Sequence, residues 1–231
     1  MQVPAQWPAP TDQRVSVARR RVAEVLSDTA LTSGQLAEYY DPSGDFAGHV
    51  FDQRADSDPN DVSASDLLAI TTMQVQAAPR AVTNFLTDGQ PRQDVINALR
   101  ATDDVPLWTA SSEQLSHAAA FYTTVKKTLG GTNMWVTASK LCARKRPALI
   151  PVRDSVIAEG LGLPGKDFRE DWLIIGKVLE DTHLREQLQD AAEAADPAGS
   201  TVLSSVPELR LLDAVLWRRW SQATRGGGQR R

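Results

Sequence analysis

The stretch SSEQLSHAAAFYTTVKKTLGGTNMWVTASKLCARKRP, residues 111–147, decides the fold class of this chain. Its first half places apolar side chains three and four residues apart, the spacing of one face of an α-helix. These side chains are Leu115, Ala118, Phe121, Tyr122, Val125 and Leu129. Ser111 or Ser112 can cap the start of the helix, and Gly130 and Gly131 end it as C-terminal glycines do. A second helix follows and stops at the closing proline.

The same helical spacing continues through most of the chain. After Thr11, for example, the apolar positions are Val15, Ala18, Val22 and Leu26. Strand signals are nearly absent, and the segment HVFDQR, residues 49–54, is the one candidate for a short strand. The sequence therefore predicts an all-α protein with a single domain of about ten helices.

Composition divides the chain into a body and two ends. Residues 1–10, MQVPAQWPAP, are rich in proline and predict a flexible arm, and residues 225–231, RGGGQRR, predict a flexible basic tail. The helical domain then covers residues 11–224, with an irregular acidic loop near residues 41–62. A chain of 231 residues, 42% of them hydrophobic, is long enough to bury a core of its own.

The cysteine count and the hydrophobic pattern of the chain argue against several classes of protein. Cys142 is the single cysteine, so neither an intramolecular disulfide nor a cysteine zinc site can form. No apolar run approaches the ~18 residues of a membrane span, and the N-terminus lacks the pattern of a signal peptide. We therefore expect a cytoplasmic protein that makes no membrane contact.

Metal sites are not predicted either. The three histidines, His49, His117 and His183, lie far apart and form no paired ligand spacing. The segment DSDPND, residues 56–61, begins like a calcium loop but has Asp61 at the glycine position and Leu67 at the glutamate position. Turn formation and helix capping explain these acids, so no metal and no cofactor are expected.

Charge is sorted along the chain despite a net charge of -4. Residues 41–66 are strongly acidic, whereas residues 126–153 contain no acidic residue. The basic side chains of this second stretch are Lys126, Lys127, Lys140, Arg144, Lys145, Arg146 and Arg153. They predict either a solvated helix face or a surface that binds phosphate.

Residues 129–157 resemble the helix-hairpin-helix DNA glycosylase superfamily. LGGTNMWVTASKL stands at the position of the hairpin and the following helix, and LIPVRDSVI places Asp154 at the position of the catalytic aspartate. The resemblance implies that Asp154 stabilises an oxocarbenium-like sugar and positions water. Val136 stands where bifunctional members have their lysine, so a monofunctional enzyme is implied.

The basic stretch and the resemblance together predict which residues would contact nucleic acid. The predicted set is Lys126, Lys127, Gly131, Trp135, Thr137, Lys140, Arg144, Lys145, Arg146 and Arg153. Backbone N–H groups of a hairpin and cationic side chains both bind phosphates. DNA is therefore the predicted partner.

Two alternatives remain open. Asp154 follows Pro151 at a helix start, so it can instead cap that helix or pair with Arg153, Arg146 or Lys145. The segments DPNDVSASDLLAITTMQV and VTASKLCARKRPALIPVRDSVI also resemble a family of uncharacterised bacterial all-helical proteins, a domain of unknown function. This second resemblance implies a stable all-helical fold and no reaction. The alternative function is a non-enzymatic helical interaction module with a protein partner, in which the hairpin-like segment is only structural; a cavity that holds a small metabolite between helices also stays open. Its oligomeric state is left open.

Overall fold

The computed structural model describes residues 1–54, 57–131, 133–199 and 201–227, with side chains of the last helix described to residue 222. The described residues form twelve α-helices and no strand, which confirms the predicted all-α class and the single domain. The helices are α1 (Asp12–Leu26), α2 (Thr29–Tyr40), α3 (Gly48–Asp52), α4 (Ala64–Thr71), α5 (Pro79–Leu86), α6 (Gln90–Arg100), α7 (Ser112–Leu129), α8 (Trp135–Lys145), α9 (Ser155–Leu161), α10 (Phe168–Leu179), α11 (Thr182–Ala195) and α12 (Glu208–Gly227).

Helix starts follow the capping signals in the sequence. Ser63 and Ser111 each form a capping box, in which the serine accepts the N–H of Asp66 or Gln114 and that side chain bonds the serine N–H in return. Gly130 ends α7 with a φ of 68°, a left-handed value that glycine adopts without strain. Local chemistry therefore sets these boundaries.

Helix α3 occupies the segment predicted as a short strand, so that prediction is wrong. The helix packs against α2 so closely that a Cβ on Gly48 would lie 2.5 Å from the Tyr39 carbonyl oxygen. Phe51 and Asp52 are buried, and Asp52 accepts a hydrogen bond from the Tyr40 hydroxyl at 3.0 Å. These contacts favour a helical turn over an extended segment.

The body has two packed groups of helices. In one, α6, α5 and α8 pack on α7, and α4 packs on α8. In the other, α1 and α11 pack on α10, while α2, α9 and α11 pack on α12. One continuous core joins the groups and includes the fully buried side chains of Phe121 on α7 and Trp172 on α10. Within the described ranges, no helix has both the length and the apolar run needed to cross a bilayer.

Residues near the N-terminus contact this body. Trp7 is 7% exposed, and its ring centroid lies 6.2 Å from that of Trp172. The Gln2 N–H donates to the Ala110 carbonyl at 2.9 Å. At the other end, α12 continues to Gly227, and residues 228–231 of the predicted tail lie outside the described residues.

Candidate functional site

Helix α8 carries Lys140, Arg144 and Lys145 of the predicted basic cluster, and Arg146 follows it, but these cationic side chains point into the protein. Arg144, Lys145 and Arg146 are each at most 5% exposed. Arg144 donates to Asp66 Oδ1 at 2.8 Å, and Lys145 donates to Asp66 Oδ2 at 3.0 Å. The expectation of a solvent-facing basic surface is therefore corrected for these three residues, because their donors are used inside the fold.

Arg146 bonds backbone carbonyls instead of a carboxylate. Its guanidinium donates to the carbonyl oxygens of Leu99 at 2.7 Å, Pro59 at 2.8 Å and Lys145 at 2.9 Å, and also to that of Thr102. The carbonyl oxygens of Leu99 and Thr102, at or just after the end of α6, and that of Pro59 in the acidic loop, thereby gain a hydrogen-bond donor. Buried acceptors require such a partner. The side chain joins three segments of the chain.

Asp66, at the start of α4, pairs with two of these cations, Arg144 and Lys145. Burial alone would raise the pKa of its carboxyl group, but hydrogen bonds from Ser57 Oγ and the Ser63 N–H, together with Lys145, hold that pKa below the ordinary value. The acidic early stretch and the basic middle stretch are thus paired in space. Asp56, which belongs to the same acidic segment, lies outside the described residues.

The other predicted nucleic-acid contacts are divided between surface and interior. Lys126, Lys127 and Gly131 are exposed near the end of α7, whereas Thr137 is buried. The Arg153 guanidinium lies 5.0 Å from the centroid of the Trp135 ring and pairs with Asp171 at 2.7 Å. One face of Trp135 is therefore covered by Arg153 instead of being free for base stacking. Thr132, in the predicted hairpin, lies outside the described residues.

Asp154 uses its two carboxylate oxygens differently. Oδ1 accepts the Val156 N–H at 2.9 Å and caps α9, while Oδ2 lies 3.8 Å from Lys140 Nζ. The Asp154 side chain is 18% exposed and that of Lys140 is 7% exposed. The capping role is therefore present, and one oxygen is left to face the lysine.

Both members of this pair line a cavity of about 790 Å³. Its walls come from α2, the loop after it, the loop after α4, α8, the start of α9 and α12. Tyr39, Phe46 and Trp217 form an aromatic wall with ring centroids 6.1 to 6.3 Å apart. The exposed carboxylates of Asp41 and Asp45 lie at the mouth. A site of this size and mixed lining suits a small organic molecule.

A buried charge network reaches the cavity through Arg210 and Asp213 of α12. Arg210 pairs with Asp52 at 3.1 Å and with Asp213 at 3.0 Å, and the Val152 N–H donates to Asp213 at 3.0 Å. Burial raises the pKa of Asp213 to about 6, although Arg210 opposes this shift. Burial likewise raises the pKa of Tyr39 to about 12. Two carboxylates share one guanidinium here, so the network has no spare cation.

Lys140 also fixes the loop that follows α4. Its Nζ donates to the Met73 carbonyl at 2.7 Å. The next residue, Gln74, has a φ of 60°, a left-handed conformation that is uncommon for a residue with a side chain. Such conformations persist where surrounding contacts enforce them and are frequent at ligand sites. Burial lowers the pKa of Lys140, and Asp154 partly offsets this effect.

Sequence reasoning found Asp154 and Lys140 but missed the rest of the lining. Tyr39, Phe46, Gln74, Arg210 and Trp217 lie far apart in the chain, and their apolar or basic character alone predicts core or surface positions. The predicted site placed Lys140 among phosphate contacts, whereas the structure places it against Asp154 inside the cavity.

The comparisons with known proteins bear on the family alone. No curated protein and no solved structure matches the chain. The model described as "Family of unknown function (DUF6308)" matches residues 32–220, which include every residue that lines the cavity. The match covers most of the 231 residues and confirms the expected resemblance to a domain of unknown function. The chain belongs to this family of unknown function, DUF6308.

Proposed function

We propose that this protein binds a small organic ligand in the cavity between α2, α8 and α12, with Lys140 and Asp154 at the polar end of the site. The observation that carries the proposal is the position of this pair. Both side chains are mostly buried, come from different segments, lie 3.8 Å apart and line the same cavity. Burying two charged groups is costly, which makes such a pair in a cavity a functional-site candidate.

The mouth of the cavity limits what the ligand can be. Within the lining, Arg210 pairs with Asp213 and Lys140 faces Asp154, so these charges compensate one another. Asp41 and Asp45 remain as exposed carboxylates. Their field disfavours a phosphate-rich molecule and favours a neutral or cationic one with an apolar part for the aromatic wall.

Filling the cavity tests the proposal. Val136 lies on α8 and lines the cavity, so Val136→Trp places a large ring inside it. We expect the affinity for a neutral fluorescent probe such as Nile red to fall at least about tenfold, a loss of roughly 1.4 kcal/mol. The matched control is Leu68→Trp, which adds the same ring at a position 68% exposed on α4.

Two measurements make the result decisive. Fluorescence titration gives the dissociation constant for each variant, and circular dichroism melting shows whether each variant is folded. Equal affinity of folded Val136→Trp and wild type would contradict binding in this cavity. Reduced affinity in the Leu68→Trp control as well would show that the probe binds the outer surface.

Hydrolysis of an N-glycosidic bond, which the resemblance implies, is a second candidate function. The position of Asp154 favours it, because this carboxylate heads α9 and also lines the cavity. Asp154→Asn keeps a capping side chain but removes the charge. If the protein hydrolyses this bond, we expect the wild type to release a base from damaged duplex DNA and Asp154→Asn to release none. The absence of base release by the wild type across a panel of lesions would contradict the enzyme.

DNA binding is tested through the exposed lysines, because Arg144 and Arg146 are buried and their removal would damage the fold. The double variant Lys126→Ala, Lys127→Ala should bind duplex DNA more weakly, and the slope of log affinity against log salt should fall by about 1 per lost phosphate contact. The control is Arg20→Ala, Arg80→Ala, which removes the same charge from exposed positions outside residues 126–153. Equal affinity and slope for both double variants would contradict binding through residues 126–153.

A further inference from the structure

Two lysines on α8 are both buried but differ in how their amino groups are bonded. Lys145 Nζ donates three hydrogen bonds: to Ser57 Oγ at 2.7 Å, to the Asp58 carbonyl at 2.6 Å and to Asp66 Oδ2 at 3.0 Å. An ammonium group has three N–H donors, so all of them are used. Lys145 is therefore held as a structural cation, and it is not among the residues that line the cavity.

Lys140 is bonded much less completely. Among the described residues its Nζ donates one short hydrogen bond, to the Met73 carbonyl, and faces Asp154 Oδ2 at the longer distance of 3.8 Å. A neutral amine keeps two N–H donors and gains a lone pair. Lys140 can thus lose a proton, keep its bond to Met73 and direct the lone pair into the cavity. Lys145 cannot do so without losing one of its three hydrogen bonds.

We propose that Lys140 is a nucleophilic amine that condenses with the carbonyl carbon of an aldehyde or ketone held in the cavity. The inference rests on the ligand-binding function proposed above and names the substrate class of that site. It is independent of the glycosylase resemblance, which would place a lysine at the position of Val136, one turn earlier on α8. The observations that carry it are the cavity, the incompletely bonded amine and the carboxylate beside it.

The reaction balances without an oxidant or a reductant. The Lys140 lone pair forms a bond to the carbonyl carbon, the C=O π bond breaks, and Asp154 carries a proton from nitrogen to the oxygen. This gives a carbinolamine. Asp154 then carries a second proton from nitrogen to the hydroxyl group, the C–O bond breaks, and one water leaves as the C=N bond forms. The net reaction joins one amine and one carbonyl compound to give one imine and one water.

The electrostatic surroundings support this role. Burial lowers the pKa of Lys140, which increases the fraction of neutral amine near neutral pH. The pKa of Lys145 is lowered as well, also by burial. The two lysines therefore differ in bonding and access rather than in the direction of their pKa shifts. This makes Lys145 the matched comparison within the same helix.

Reductive trapping tests the proposal on the full chain. The protein is incubated near neutral pH with butanal and sodium cyanoborohydride, and the alkylated residues are quantified by peptide mass spectrometry. We expect Lys140 to be alkylated at least about tenfold faster than Lys145 or the exposed Lys126, because Lys140 alone of the three lines the cavity that holds the aldehyde beside its amine. Lys140→Arg keeps a cation and a donor for Met73 and should lose the fast phase.

The outcomes separate this inference from the proposed function. Alkylation of Lys140 no faster than that of Lys145 overturns the imine, and so does an unchanged fast phase in Lys140→Arg. If Nile red still binds wild type and not Val136→Trp, ligand binding stands while the imine is wrong. If the probe binds neither protein and Lys140 is not labelled preferentially, both proposals fail.

Discussion

At the scale of single residues, the structure is governed by which cation each buried carboxylate meets. Asp66 meets Arg144 and Lys145, whereas Asp52 and Asp213 share Arg210. The pKa of the Asp66 carboxyl group lies below its ordinary value, whereas the pKa of Asp213 is raised to about 6. Burial disfavours the charged form of both carboxyl groups and so raises both pKa values. The number of hydrogen-bond donors and cations around each carboxyl group therefore decides the direction of its net pKa shift.

Asp213 should give a measurable dependence of stability on pH. Its pKa is higher in the folded state, at about 6, than the roughly 3.9 of an unfolded chain, so the folded state binds more protons between these values. Relative to Asp213→Asn, the free energy of unfolding of the wild type should therefore fall as pH rises from about 4 to about 6. Above that range the difference should be constant. Urea denaturation of both proteins at a series of pH values measures it, and an increase over that interval would contradict the assignment.

At the scale of elements, the close approach of α3 to α2 sets the position of the loop that forms the mouth of the cavity. Gly48 is the first residue of α3 and packs against Tyr39, which belongs to the aromatic wall. Phe46, in the loop between these helices, packs on the same wall. The short helix therefore links local backbone packing to the shape of the site.

Two glycines near this contact make a matched pair. A Cβ on Gly48 would lie 2.5 Å from the carbonyl oxygen and the ring of Tyr39, so Gly48→Ala should destabilise the protein by about 1–3 kcal/mol through overpacking. Gly34, inside α2, has nothing within 4 Å of an added Cβ, so Gly34→Ala should stabilise the helix by about 0.5–1 kcal/mol. Chemical denaturation of both variants gives the two signs. A neutral or stabilising Gly48→Ala would contradict the close approach.

The helices were predictable from sequence to the extent that local signals define them. Capping at Ser63 and Ser111, the glycine end of α7 and the aspartate head of α9 all depend on residues within one helical turn. The burial of α8 was not predictable, because the carboxylate that compensates it, Asp66, is 78 residues from Arg144. The aromatic wall was missed for the same reason, since Phe46 and Trp217 meet only in the folded chain.

At the scale of the whole molecule, segments of opposite charge fold onto one another. The acidic stretch that begins at Asp41 supplies carboxylates and carbonyls to the basic end of α8. The acidic and basic side chains, which lie in separate segments of the sequence, are therefore largely bonded to one another or to backbone carbonyls inside the protein. This explains why a basic segment of the chain does not produce a basic surface around α8.

The Asp66 junction should contribute strongly to global stability. In Asp66→Asn, Arg144 and Lys145 remain buried without their shared carboxylate, and breaking a buried ion pair costs about 3–5 kcal/mol. Asp88, which is fully exposed on its side chain, provides the control, and Asp88→Asn should change stability by less than about 0.5 kcal/mol. Urea denaturation measures both. A loss for Asp66→Asn no larger than for the control would contradict the role of the junction.

Arg146 has a different consequence from the ion pairs around it. Its acceptors are the backbone carbonyls of Leu99, Thr102, Pro59 and Lys145. A carbonyl does not titrate, and although burial lowers the pKa of Arg146, an arginine keeps its proton throughout the range in which proteins fold. The hydrogen bonds through which Arg146 connects these segments should therefore be broken neither by acid nor by base. Around it, the carboxylate networks of Asp66 and Asp213 are free to respond to protons without separating α6, the acidic loop and α8.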